Sequence, residues 1–536
     1  MHERGHFLAD KFDQQYLSKP YCVIIKVFTE LCDLILAEDE SALIHKRTVI
    51  REAVGNEGRV LTDVLPNLHL IIGEQPAVSS LGIMESRHRF HDVLCKFVTA
   101  LSTPESPMVI FFDDLQWSDE SSLDLINVLM TSPESRHILY VGSYRDNEVT
   151  LSCPITNHLQ VIRGKGANMI ELKIGNIGIH SVRDLVSDVL GIHPNQTTQL
   201  AHLVHRKTGG NPFFVIHFLK RLYNDGLVKF CHKRFCWQWD IAQIESKRNV
   251  TDNVVKLITN EIGRLPEPVQ NILQVASCIG NTFELTFLKQ IMDTNGNIIE
   301  EEREGGNQLC NTTHQTLEKA NNKDGSLFES HSIEQCVAHA EIAGMITHLR
   351  TYGSQEKDKL HKHEYRFAHD QIQQAVHILL PEQEQKLLHL KIGRYLQKQA
   401  SMNGTEDRLY GIVNQLNCGL QLVTSKTERI EIARLNLQAG KKAKSFAAHT
   451  SAYGYFKTGI DLLKSVQWND QYKLNLQLHT LAAETSYLIS NFEEMEQHSQ
   501  HVLTNASCLL DRISVYSILI SGEPCSLFWK HLCLKL

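Results

Sequence analysis

Residues 109–114, Val109-Ile110-Phe111-Phe112-Asp113-Asp114, constrain the chain more than any other stretch. An unbroken apolar run of strand length ends on two carboxylates. With no polar alternation, such a run reads as a strand buried on both faces, as in a parallel sheet. Open α/β sheets place ligands beyond the C-terminal ends of their strands, which is where both acids fall. Ser118-Asp119-Glu120-Ser121-Ser122 then supplies helix-capping chemistry, and Leu123–Met130 carries the helix. A second apolar run, Ile138–Ser143, finishes on Tyr144-Arg145-Asp146. The pattern is strand, helix, strand, with acid at one tip and a cation at the next.

That pairing suits phosphoanhydride chemistry. A carboxylate at a strand end can hold Mg²⁺, directly or through water, and a second can orient an attacking water. An arginine on the neighbouring tip can read or stabilise a terminal phosphate.

Composition narrows the class. At 536 residues the chain has room for about three to four domains. With 42% hydrophobic and 21% charged residues it has an ordinary globular composition. A net charge of −7 leaves no overall electrostatic footprint for nucleic acid. The thirteen cysteines lack a CxxC pair, which points to reduced thiols in a cytoplasmic setting and away from a disulfide framework or zinc site. No run approaches the roughly 18 apolar residues of a membrane span.

The wording FFDDLQWSDESSLDLI followed by GSYRDNEV resembles the Walker B and sensor regions of STAND-type AAA+ (Orc1-like AAA) ATPase modules. These modules occur in multidomain signalling proteins, notably hybrid histidine kinases fused to serine/threonine-kinase-like domains. The resemblance implies an α/β P-loop NTPase-like domain with a parallel, incomplete sheet, followed by a helical lid, a winged helix and an α-solenoid of TPR-like repeats. It implies ATP/ADP and Mg²⁺ as cofactors. Asp113 would serve the metal, Asp114 would polarise water and Arg145 would read the terminal phosphate. In Gly209-Gly210-Asn211-Pro212-Phe213-Phe214, Pro212 would pack near adenine, although a proline at a helix start is also plain capping grammar. His369, in His369-Asp370, would sense the resting ADP form, or simply cap the helix Gln371–Leu380.

One family element is missing from the sequence as given. No GxxxxGK[ST] occurs, and that loop supplies most of the grip on phosphates and Mg²⁺. The expectation is a family member cut at its N-terminus, with weak or no ATP hydrolysis unless the loop is supplied. By resemblance the domains run 1–175 (truncated nucleotide-binding domain), 176–250 (helical lid with a β-hairpin), 251–380 (winged helix) and 381–536 (TPR-like repeats, also truncated).

Several elements are expected within these. Apolar spacing predicts helices over 21–36 and 85–101, and Ile170–Ile174 reads as a final strand. Leu227–Phe230 and Phe235–Trp239 read as a hairpin, and 252–289 as two helices broken at Leu265–Pro268. A stretch at 291–330, rich in Asn, Glu, Gly and Thr, reads as a disordered insert, and helical pattern returns at 333–346. The favoured function is a nucleotide-dependent signalling switch whose repeats bind protein partners, with kinase or histidine-kinase domains in a longer chain. A catalytically inactive scaffold is the alternative. A DNA-binding regulator is a third reading, disfavoured because 252–289 shows no basic recognition helix.

Overall fold

The computed structural model describes residues 5–13, 20–78, 83–150, 153–246, 254–292, 332–349, 363–403 and 408–522. They fall into two compact units, Met1–Met169 with Lys386–Leu536, and Ile170–Gln385.

The first unit contains a three-stranded parallel sheet in the order β1-β2-β3: β1 (His6–Lys11), β2 (Met108–Asp113) and β3 (Ile138–Gly142). The register puts Leu8 beside Ile110 and Ile110 beside Tyr140, and brings Lys11 level with Asp113 at the C-terminal tips. Leu8, Ile110 and Phe112 belong to a fully buried core with the helix Cys22–Leu36. That helix turns Val23, Val27, Phe28, Leu31 and Ile35 inward at three- and four-residue spacing. Phe28 meets Phe97 of the helix Ile83–Leu101 edge-on at 6.3 Å.

The other sheet face differs from the expectation of a strand buried on both sides. Val109 and Phe111 are only half-buried, and on the flanking strands Phe7 is 64% and Leu139 59% exposed. Parallel strands are apolar on both faces because helices ordinarily cover both; here the described residues cover one.

Short helices fill the stretch before the helix Ile83–Leu101. Helices Glu40–Val54, Gly58–Thr62 and Leu68–Ile72 occupy it. Arg47 and Arg51 donate to the carbonyls of Ile71 and Ile72, at 2.6 and 2.9 Å through their Nε atoms. Cations thereby satisfy carbonyls that a helix C-terminus leaves open.

The same unit holds stacked helices Leu409–Cys418, Lys426–Ser445, His449–Leu463, Tyr472–Leu488, Phe492–Asn505 and Leu509–Gly522. Close packing depends on small residues: a Cβ on Gly440 would lie 2.4 Å from Phe456, and one on Gly459 2.9 Å from Leu478. Polar ties recur between successive layers, including Lys444 Nζ–Glu484 at 2.5 Å and Lys457 Nζ–Glu494 at 2.7 Å. The ladder reaches the α/β part through Thr450, whose hydroxyl donates to Glu120 at 2.8 Å.

The second unit opens with helices Ile179–Leu190, Pro194–Thr208 and Pro212–Asn224 and the expected hairpin, β4 (Val228–Cys231) with β5 (Cys236–Trp239). Helices Val254–Ile262, Glu267–Ile279, Ile333–Ile342 and Asp370–Leu379 follow, with an antiparallel sheet in the order β6-β8-β7. Those strands are β6 (Thr282–Glu284), β7 (Ile346–Leu349) and β8 (Glu364–Phe367), a winged-helix arrangement.

Two sequence expectations fail here. The helix expected over 333–346 stops at Ile342, because Gly344 takes φ 77 and Ile346 enters β7. Ile170–Ile174 is not a strand: residues 167–178 are neither helix nor strand, and Ile170, Leu172 and Ile174 are 78%, 79% and 94% exposed. Alternation suits a pleat, but a strand forms only where a neighbouring edge accepts its ladder. The insert expected at 291–330 lies, from residue 293 onward, outside the described residues.

Candidate functional site

The tips of β1, β2 and β3 meet. Asp113 closes β2, and Asp114 turns out of the sheet in the left-handed region, φ 55, with a side chain only 5% exposed. Its backbone N–H donates to Ser143 Oγ at 3.1 Å, and the Ser143 hydroxyl itself donates to Asp113. The Leu115–Trp117 turn fits against β3 because Gly142 has no side chain: a Cβ there would lie 2.5 Å from Leu115 Cδ1. Asp119 then caps the helix Glu120–Thr131, accepting from Ser122 N at 3.0 Å, as the Ser/Asp/Glu cluster indicated.

Asp114 is the electrostatic centre. Lys11 Nζ lies 2.6 Å and Arg145 Nη2 3.1 Å from its Oδ2, while Gln116 donates to Oδ1 at 3.0 Å. Arg145 also pairs with Glu148 at 3.1 Å and lies 4.8 Å from the centre of the Trp117 ring. Burial pushes the Asp114 pKa up, but hydrogen bonds from Lys11 and Gln116, with the Lys11 and Arg145 charges, outweigh it and hold the carboxyl below its ordinary range.

Asp113 is 35% exposed, and Lys11 lies 3.6 Å away. Its carboxylate and the Ser143 hydroxyl are oxygen donors of the kind Mg²⁺ prefers. Asp114 Oδ2 is shared by two cations and Oδ1 takes the Gln116 amide, and the four lone pairs of a carboxylate accommodate a further donor such as water.

Pro212 and His369 lie in the second unit. Pro212 begins its helix behind Asn211, whose side chain accepts from Phe213 N at 3.1 Å. Gly209 and Gly210 both have positive φ, and a Cβ on Gly210 would meet the Ile177 carbonyl. His369 caps the helix Asp370–Leu379, its Nδ1 accepting from Gln371 N at 3.1 Å, and its ring stacks on Phe213 at 4.2 Å. His217, 4.4 Å from Phe213 on the ring-centre measure, is bonded to Glu261 at 2.9 Å.

Sequence reading missed Lys11, Gln116, Trp117, Ser143 and Glu148 at the strand tips. For Lys11 a signal was available: a lysine ending a short strand of a parallel sheet falls level with the acids ending the next. Gln116 and Glu148 give no comparable sign, because their convergence depends on the turn at Asp114.

Residues 1–141 match the AAA ATPase domain family, a class of nucleotide-binding modules. The chain as a whole is similar to hybrid signal transduction histidine kinase G of Dictyostelium discoideum, 26% identical over 93% of this chain and 17% of that protein. It therefore spans a small part of that relative's length. A STAND protein with a tetratricopeptide repeat sensor from Pyrococcus horikoshii superposes with a TM-score of 0.37 at 11% identity, over 97% of this chain and 65% of that one. The family read from FFDD and GSYRD, an AAA-type module of the sort carried by signalling proteins, accords with these matches. No helix among the described residues is long and apolar enough to cross a membrane.

Proposed function

We propose that the chain is the STAND-type regulatory core of a cytoplasmic signalling protein, a nucleotide-dependent switch that couples its strand-tip site to a TPR-like, protein-binding helical arm. One observation carries the reading: the acid tip and the cation tip converge, with Arg145 held 3.1 Å from buried Asp114 beside a half-exposed Asp113. The FFDD run serves as Walker B, with Asp113 the metal carboxylate when Mg²⁺-nucleotide is bound. Asp114 holds Lys11 and Arg145 ready for phosphate. Transfer of Arg145 from Asp114 to a terminal phosphate exchanges one charge-assisted contact for another, which makes nucleotide state readable by the fold. Pro212 contributes to the adenine side and His369 reports the resting form. The partners are proteins, among them kinase or histidine-kinase domains of a longer chain.

The inactive scaffold remains as a second reading on a specific observation. The described tip cations, Lys11 and Arg145, are both engaged by Asp114. Titration of the chain with a fluorescent ATP analogue and Mg²⁺ separates the two. The switch predicts Mg²⁺-dependent binding that weakens about tenfold or more in Asp113→Ala, the scale of a lost charged contact. No binding at millimolar nucleotide leaves the scaffold.

A further inference from the structure

Away from the strand tips, a cleft of about 340 Å³ opens between the helices Ile83–Leu101, Glu120–Thr131 and Pro154–Gly164. Val128 and Val161 give it apolar lining, and Arg87, His91, Asn127 and Lys165 line it with polar groups. Its size matches the lower end of small-molecule pockets. Two lining side chains are more than nine-tenths buried and each keeps a polar atom without a partner: His91 Nε2 and Asn127 Oδ1. Such atoms cost about 1–3 kcal/mol apiece when left unpaired, so an occupant that pairs them recovers that cost.

We propose that this cleft is a second ligand site, for a small anionic metabolite that also carries a hydroxyl or amino group. The charge follows from the lining. Arg87 is paired with Asp124, which leaves Lys165 in excess, and His88, His91 and His158 add ring nitrogens. The donor on the ligand follows from Asn127. Its amide nitrogen is committed to His158, so its orphaned oxygen can only accept.

The cleft also has a position from which to act. Asp124 and Asn127 project from the helix that starts just after the Trp117 turn. The first residue of that helix, Glu120, takes the Thr450 hydroxyl of the helical arm. An occupant bears on the element between nucleotide site and arm, which suits an input signal.

The test is calorimetric titration of the full chain with glycerol 3-phosphate, malate and sulfate, alongside NMR of the histidine rings. Glycerol 3-phosphate or malate binds and shifts the His91 and His158 resonances, about tenfold or more tighter than sulfate, which carries no hydroxyl donor at neutral pH. Lys165→Glu, at an exposed position, lowers that affinity about tenfold or more without changing the fold. The Asp113→Ala chain binds the anion as the parent does, so failure at the strand tips and failure here are distinguishable. Three outcomes overturn the proposal: neither organic anion producing heat or ring shifts at millimolar concentration, Lys165→Glu binding equally well, or sulfate binding as tightly as glycerol 3-phosphate.

Discussion

The strand tips and the helical cleft lie in one unit and are both rich in ionisable side chains, yet they are built in opposite ways. At the tips the protein supplies the partners: Asp114 is shared by Lys11, Arg145 and Gln116, and Asp113 takes the Ser143 hydroxyl. In the cleft, two buried atoms, on His91 and Asn127, have none. A phosphate at the tips would draw on cations already paired with Asp114, so its binding competes with the resting arrangement. A ligand in the cleft completes a set, so its binding adds stability in proportion to RT ln(1 + [L]/Kd). Competition makes a switch and completion makes a sensor.

The comparison breaks most easily at Asp114. Asp114→Ala leaves Lys11 and Arg145, with side chains 30% and 23% exposed, facing a site without its carboxylate. Removing one member of a buried charge set costs about 3–5 kcal/mol, with the lower end expected here because both cations reach some solvent. Asn127→Leu in the cleft removes an atom that had no partner together with one hydrogen bond to His158, and should cost about 1 kcal/mol. Urea midpoints of the two variants check this directly. Equal losses would mean that the tips are no better satisfied than the cleft.

Acid sharpens the contrast. The Asp114 pKa lies below its unfolded value, so its stabilising contribution is present above about pH 4 and is lost only as pH falls through the folded value. His91 changes stability in the same direction but in a higher pH window. Burial first, then the Arg87 and His88 charges, pull its pKa from 6.5 to about 4. The unfolded chain then binds the proton more readily, so stability falls as pH drops from 6.5 towards 4, by about 1.4 kcal/mol per pH unit for one such histidine. His449, with a pKa of about 4, and His479, with one of about 3, add to the same slope. Urea midpoints from pH 7 to pH 5 should decline steeply, and His91→Phe should flatten the decline. A flat parent profile in that window would remove the cleft histidine from the account.

How much of this was legible in the sequence depended on whether the chemistry was local. The β2 run, the Asp119 cap, the helix Cys22–Leu36 and the hairpin around Phe230 and Trp237 are local patterns, and the fold contains them. Ile170–Ile174 carried an equally good local pattern but pairs with none of the described strands. The convergence of Asp113, Asp114 and Arg145 was readable because parallel strands bring their C-terminal ends together. The cleft was not, since Arg87, Asn127 and His158 come from three helices separated by dozens of residues, and no spacing rule links them.

Gly142 offers a smaller, geometric test of the tips. Gly142→Ala would push a methyl group toward Leu115 Cδ1, which belongs to a side chain able to yield in part. Overpacking of this kind costs about 1–3 kcal/mol, and the low end applies where a flexible side-chain end is the obstacle. Because the Leu115–Trp117 turn must move, the Trp117 ring should shift relative to Arg145, which stands 4.8 Å from it. A change in tryptophan emission with little loss of stability would support a tip geometry set by close approach; unchanged emission would show that the turn is positioned by other contacts.

The smallest effect is expected where the arm touches the helix of the cleft. Thr450 Oγ1 donates to Glu120 in an exposed setting, and removing such a contact usually alters stability by no more than about 0.5 kcal/mol. Its neighbour His449 is buried with both ring nitrogens unpartnered, so the seam rests on packing more than on that hydrogen bond. Thr450→Val, which keeps the shape and removes the hydroxyl, should leave the urea midpoint nearly unchanged. If the cleft signals to the arm through Glu120, the same variant should alter how glycerol 3-phosphate shifts the His449 ring resonance while leaving the affinity close to that of the parent. A large loss of stability would instead make the hydrogen bond a structural tie, and the helix Glu120–Thr131 would then be a fixed strut between arm and sheet.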